Sequence, residues 1–317
     1  MNLKKILYRV TLLVLLVMFA AGAAAEGLAP LPMDTYVGGP VPGDENYLSD
    51  NEYQDESITV RIFEGRHADT GYTYAYVKIS HPSQLRTVPA AMVNSPRANF
   101  RSTSTGRGRY VARAVNAVIA LNGDYFTKPD KCQVVMRQTQ QVRNNANGAM
   151  DVLIIDKNGD FDYIQKCTKD LYNQYYEAHG QDMYQAFCFG PVLAVDGKSI
   201  IAQDYKNGNV GAQNSTQRSA IAQLGPLEYL LVTTEGPQSS GSKGMTVPEL
   251  AALCQDLGYQ FTETGCRAAF NLDGGNSATM AFKRMNAEAG KLLYAKINSP
   301  GIERFLSDMI YFATLVE

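Results

Sequence analysis

Two early stretches, 58–63 and 72–79, alternate apolar and polar positions with a period of two. Both are rich in β-branched and aromatic residues, which predicts strands. Two other apolar runs end abruptly on polar turns. Residues 117–121 run into Asn122-Gly123-Asp124, and Ala268 to Phe270 lead into Asn271-Leu272-Asp273-Gly274-Gly275-Asn276-Ser277. Each pairs an amide and a carboxylate with glycine, the residue that permits positive φ and close approach of the backbone to a ligand. The bland reading of either is a tight turn with an Asx hydrogen bond. If the two strands are neighbours, Asp124 and Asp273 approach one rim.

The same patterning predicts a short helix over 111–116 and a strand over 151–156, with an Asn158-Gly159 hairpin turn. Asp156, Asn158, Asp160 and Asp162 mimic the start of a calcium loop, but the glycine and the distal Glu are not at EF-hand spacing. A polar, Tyr-rich segment over 166–186 reads as helical. Strands follow at 192–195, 218–224 and 229–235, the last two paired around Gly225-Pro226. Gly236, Ser239, Ser240, Gly241, Ser242 and Gly244 make a flexible loop without a Walker pattern. Thr246 with Glu249 three residues on is a capping box. Leu250, Leu253, Cys254 and Leu257 share one face, and Gly258 is the expected stop of that helix. Closing strands are expected at 278–284, 292–296 and 308–313. The sum is an α/β (mixed α+β) fold: a central mixed β-sheet flanked by helices, in a single catalytic domain.

The N-terminus changes the setting. Lys4, Lys5 and Arg9 precede an apolar run from Val10 to Ala20 and the small residues Ala23 to Ala25, so 1–25 reads as a signal peptide. The run is short for a stable membrane span. Residues 26–56, rich in Pro and Gly and then in acids, read as a linker, with the catalytic domain at 57–317. The expected location is secreted or cell-envelope. Export permits disulfides among Cys132, Cys167, Cys188, Cys254 and Cys266. Cys254–Cys266 is the first expected pair, the other three compete for a second, and buried free thiols are the alternative. A net charge of -2 over 317 residues gives no reason to expect a nucleic-acid partner. Arg97, Arg101, Arg107 and Arg109 form a basic loop, either solvated or facing an anionic substrate.

Three histidines, His67, His81 and His179, lie away from the glycine-rich strand ends, which disfavours catalytic zinc and Ser-His-Asp chemistry. No metal and no cofactor is expected. Carboxylates and arginines remain. Paired carboxylates suit glycosyl transfer and arginine forks suit phosphate. Asp124, Glu235 and Asp273 are candidates for the first task, Arg113 and Arg218 for the second; either arginine is otherwise an ion-paired structural residue.

The ordered set Ala120-Leu121-Asn122-Gly123-Asp124-Tyr125-Phe126, Phe189-Gly190-Pro191, Arg218-Ser219-Ala220-Ile221-Ala222, the Gly244 to Gly258 helix and Asn271 to Met280 resembles the phosphodiester glycosidases. Asp124 stands where that family often has a small residue, and Asn276 where it has Gly. The resemblance implies hydrolysis of a sugar-1-phosphodiester at the glycosidic carbon, on a glycan or cell-envelope substrate. It places Asp273 as acid/base or nucleophile, with Asp124 or Glu235 as partner. Arg218 and Arg113 would hold phosphate. Asn122, Asn271, Asn276 and Ser277 would bond sugar or phosphate oxygens, beside the close-approach glycines Gly123, Gly274 and Gly275. The alternatives are a non-catalytic glycan-binding or exopolysaccharide-assembly module on the same scaffold, and a metal-dependent phosphodiesterase.

Overall fold

The structure, a computed structural model, describes residues 28–36, 38–95, 97–237, 241–298 and 303–317. The expected signal peptide at 1–25, and Ser239 and Ser240 of the glycine-serine loop, lie outside the described residues. No helix among the described residues is long and apolar enough to cross a membrane.

Strands build three larger sheets in one mixed α and β domain. The nine-stranded sheet has at its centre Thr70–Ile79, Glu228–Thr234, Ser219–Gly225 and Ala268–Leu272 in that spatial order. A five-stranded sheet carries Ile119–Asn122 between Met280–Asn286 and Asp308–Phe312. Another five-stranded sheet carries Met183–Phe189 between Asp151–Asp156 and Val134–Arg137. A two-stranded ribbon pairs Gly106–Arg107 with Phe305–Leu306. The fold class is the expected one, but the central sheet is not mixed: its strands pair antiparallel throughout the described residues. Short turns dictate two of these pairings. Thr70–Ile79 follows Ile58–His67, and Glu228–Thr234 follows Ser219–Gly225, with too few residues between for a parallel crossover.

The strand ends Asn122 and Leu272 belong to different sheets, so they do not pair as neighbours. They meet all the same: the Asp273 N–H donates to the Gly123 carbonyl at 3.3 Å.

Three sequence expectations are corrected by packing. Residues 26–56 are not a free linker where they are described. Tyr47–Ser49 and Glu52–Gln54 join the edge of the nine-stranded sheet. Arg86, fully buried, donates to the carbonyls of Pro32 and Thr35, each at 2.9 Å, which sews the earlier segment down. Among the acids, Asp55 accepts from the Ser57 and Ile58 N–H groups and Asp44 pairs with Lys283.

The five cysteines are free and buried, so the expected Cys254–Cys266 disulfide is absent. Instead the Cys266 thiol points at the Cys254 carbonyl at 3.3 Å. Nor does Gly258 end its helix. Helix Val247–Phe261, with the Thr246–Glu249 capping box in place, runs past it to a Thr262 C-cap. Gly258 is there because a Cβ would lie 2.5 Å from the Cys266 backbone nitrogen and 2.6 Å from its sulfur. The bare helix face lets the following loop lie directly on it.

That contact sets opposing effects on Gly258→Ala. Alanine gains about 1 kcal/mol of helix propensity, while overpacking against backbone costs about 1–3 kcal/mol. Because the obstacle includes a main-chain nitrogen, we expect Gly258→Ala to lower unfolding free energy by about 1–2 kcal/mol in urea titrations. A variant as stable as the parent would show that the loop is free to move.

Candidate active site

Asp273 follows strand Ala268–Leu272, whose five residues are all buried. The turn after it is held by its own chain. Gly275 has φ +58°, a left-handed conformation, and its N–H donates to the Gln217 carbonyl at 2.8 Å. A Cβ on Gly274 would lie 2.6 Å from that same carbonyl oxygen. Both glycines therefore serve contact with Gln217, where the sequence pattern points to a ligand.

Asn122 clamps the turn from the other side. Its amide donates to the Asp273 carbonyl at 2.7 Å and to that of Gly123 at 3.1 Å. Its Oδ1 accepts from the Thr279 N–H at 3.0 Å and the Ser219 hydroxyl at 2.8 Å. Buried and fully bonded, Asn122 positions Asp273 and has no hydrogen-bonding capacity left for a sugar.

Asp273 lines a cleft of about 900 Å³. Asn276 and Ser277 stand beside it, and Tyr125, Lys128, Arg107 and Glu303–Arg304 line the remaining walls. Arg304 points inward: one Nη donates to the Tyr125 hydroxyl at 3.1 Å and the other to the Ser277 hydroxyl at 3.4 Å. Burial pushes the Asp273 carboxyl up to about 6, against the downward pull of the Ser277 hydrogen bond, the Arg304 charge and the Gly274 N–H. The second carboxylate lining the cleft is Glu303, which Arg109 holds through its backbone N–H at 2.8 Å and its Nε at 3.0 Å. The cleft thus combines one poised carboxyl with cationic and hydroxyl groups suited to a phosphorylated sugar.

The other predicted residues fall elsewhere. Asp124, expected as the partner of Asp273, has no exposed side-chain surface. It binds Arg137 at 2.8 Å and accepts from the Cys188 N–H at 3.0 Å and the Cys132 thiol at 3.1 Å. Arg137 also holds Asp308 at 2.8 Å, and all three side chains are fully buried. Burial, helped by the Asp124 charge, pushes Asp308 above the ordinary carboxylate range despite Arg137. This triad is structural, and so is Gly123, where a Cβ would lie 2.5 Å from an Asp308 carboxylate oxygen.

Glu235 lines a separate cavity of about 510 Å³ with Tyr72 and Asn298. Arg218, expected to hold phosphate, spends its guanidinium on the carbonyls of Val210, Gly211, Asn214 and Met245 at 2.7–3.0 Å. Burial lowers it to about 10. Arg113 is exposed, outside the Asp273 cleft, on helix Gly108–Ala114. Asn271 is buried and donates to the Gly190 carbonyl at 2.7 Å. Of the predicted set, Asp273, Asn276 and Ser277 line the cleft. Arg304, Glu303, Lys128 and Tyr125 lie outside that set. Tyr125 directly follows the Asn122-Gly123-Asp124 motif, and Arg107 is visible in the basic loop, but no local pattern marks 303–304.

The family model for phosphodiester glycosidases matches residues 115–313. A comparison with curated proteins gives no match. Among solved structures, the chain is similar to the zebrafish N-acetylglucosamine-1-phosphodiester α-N-acetylglucosaminidase catalytic domain, auto-inhibited by its pro-peptide. Identity is 15%, coverage is 92% of this chain and 99% of that one, and the TM-score is 0.59, a likeness of fold. A hypothetical protein from Synechocystis is 15% identical over 81% of this chain and 62% of that one, with a TM-score of 0.49.

Two measurements test this geometry. Arg137→Met leaves Asp124 and Asp308 buried without their cation, so unfolding free energy should fall by about 3–5 kcal/mol. A fall under 1 kcal/mol would remove the triad from its structural role. Asp273 has the opposite sign. Its folded pKa is raised, so the cost of its charge is absent below pH ~4 and fully developed above about 6. Asp273→Asn should therefore be more stable than the parent by about 3 kcal/mol at pH 7.5 and equal to it near pH 3.5.

Proposed function

The chain belongs to the phosphodiester glycosidase family, and from that premise we propose that it is an exported hydrolase cleaving the glycosidic C–O bond of a sugar-1-phosphodiester. The observation that carries the reading is Asp273, a carboxyl of raised pKa lining a cleft of about 900 Å³ that Arg304 and Lys128 also line. The substrate is a glycan or cell-envelope component bearing such a diester.

The chemistry fits a site with one uncommitted carboxyl. In an ordinary glycosidase an acid must protonate a poor alkoxide leaving group. Here the leaving group is a phosphomonoester, which departs as a stabilised anion. Cations can perform the acid's task by neutralising the departing oxygens, the role given to Arg304, Lys128 and Arg107. Asp273 then acts from its ionised form, as the base that activates water or as the nucleophile at the anomeric carbon. Asn276 and Ser277 would bond sugar or phosphate oxygens, and Glu303 sets the far wall. The basic n-region and apolar run at 4–20 support export.

A panel of sugar-1-phosphodiesters tests the reading. Wild type should release free sugar and a phosphomonoester, with kcat/KM rising with pH through about 6 as Asp273 ionises. Asp273→Asn should lower kcat by a factor on the order of 10²–10⁴. Arg304→Met should lower it by roughly 10²-fold. Cleavage on the other side of phosphorus would sink the assignment. Binding of panel members without turnover would favour a non-catalytic glycan-binding module.

A further inference from the structure

The Asp273 cleft does not stop at its own rim. Arg107 and Glu303 are shared with an adjoining cavity of about 550 Å³. Arg109, Leu293 and Tyr294 in turn belong both to that cavity and to a third, of about 520 Å³. The three cavities adjoin at these shared side chains and are taken together as one groove, bordered by helix Gly108–Ala114 and strand Lys291–Lys296.

The groove's charge is one-sided. The two outer cavities are lined by seven Arg and Lys residues and by one acid, Glu303. The whole chain carries 29 basic and 31 acidic residues, so this face departs from the average. Some of the cations are engaged: Arg109 with Glu303, Lys283 with Asp44, and Arg284, at 3.9 Å, with Glu64. Arg107, Arg113 and Lys291 have no acidic partner among the described residues. Arg109 and Arg113 lie four residues apart on one helix, about 6 Å along its axis, with Arg107 at the end nearest the cleft. The positive charge is therefore a row, not a point. Tyr110, 53% exposed, and Tyr294 add ring faces between the charges.

We propose that this groove binds the continuing chain of a linear polymer of sugar phosphates, so that the substrate is a polyanion held along several repeats. A row of cations leading away from one phosphodiester site matches the further phosphates of such a chain, and the ring faces match its sugars. The proposal takes the reacting bond from the function proposed above, but the groove's affinity for a polyanion is measurable without it.

End-labelled inorganic polyphosphate contains no glycosidic bond and is the first probe. Fluorescence anisotropy should show wild-type binding that weakens with salt, with several counterions released. The double variant Arg113→Glu, Lys291→Glu should lose at least tenfold in affinity and about one to two units of salt slope. Lys157→Glu with Lys198→Glu makes the same change in net charge at exposed positions that do not line the groove. It should bind within twofold of wild type. No binding by wild type, or equal losses in the two double variants, would overturn the proposal. So would displacement of the probe by single-stranded DNA at lower concentration than by a poly(sugar phosphate). In a second arm, kcat/KM for a poly(sugar-1-phosphate) should exceed that for its monomeric diester by tenfold or more, and the groove variant should erase that ratio. A polyphosphate-binding protein that turns over neither substrate would keep the groove and discard the proposed reaction. Turnover of the monomer with no polymer preference would do the reverse.

Discussion

Arg137 lies between Asp124 and Asp308 without any contact with solvent. The guanidinium also lies over the Phe187 ring at 4.1 Å and donates to the Ala186 carbonyl, so both of its terminal nitrogens and one face meet groups that favour a positive charge. Asp308 opens a strand of one five-stranded sheet and Arg137 closes a strand of the other. The ion triad is what fastens those two sheets at this corner. Such a pair gives little net stability over apolar packing, but it admits a single arrangement, because any other leaves a charge buried alone.

The position of Asp273 follows from that corner. Gly123 lies against the Asp308 carboxylate and gives its carbonyl to the Asp273 N–H. Asn122, next to it, grips the Asp273 carbonyl and ties it to Ser219 and Thr279. The Asn122-Gly123-Asp124 run is thus one fitting: the amide holds the site, the glycine makes room, and the carboxylate anchors both to the core. Asp273 is left as the member of this network whose carboxyl faces the cleft, and desolvation there raises it. The two carboxylates that look alike along the chain differ in use because one faces Arg137 and the other faces the cleft.

Much of the fold is legible in the chain itself. Period-two alternation locates the strands around 58–79, and Thr246 with Glu249 locates the helix start, because these signals are local. The helix end is misplaced at Gly258 because a glycine that admits a neighbouring loop reads the same as a glycine that stops a helix. Residues 26–56 read as solvated because charge counts cannot show that Asp55 accepts backbone N–H groups or that Arg86 collects the carbonyls of Pro32 and Thr35. The arginines are misassigned for a related reason. Arg218 and Arg304 are indistinguishable in sequence; one is surrounded by backbone carbonyls, the other by hydroxyls at a cleft wall.

The sequence by itself determined where strands end on polar turns, that Asp273 sits at one of them, and, through the ordered motifs, the family. These are properties of residue type and spacing. Tertiary structure alone decided which carboxylate meets solvent, that Arg304 and Lys128 join Asp273 in one cleft, and that Arg107, Arg109, Arg113 and Lys291 gather on the cavities adjoining it. Electrostatic role depends on the burial and the partners around a group. Residues 107, 125, 273 and 304 are brought to one cleft by contacts between segments far apart in the chain, and no local window contains that information.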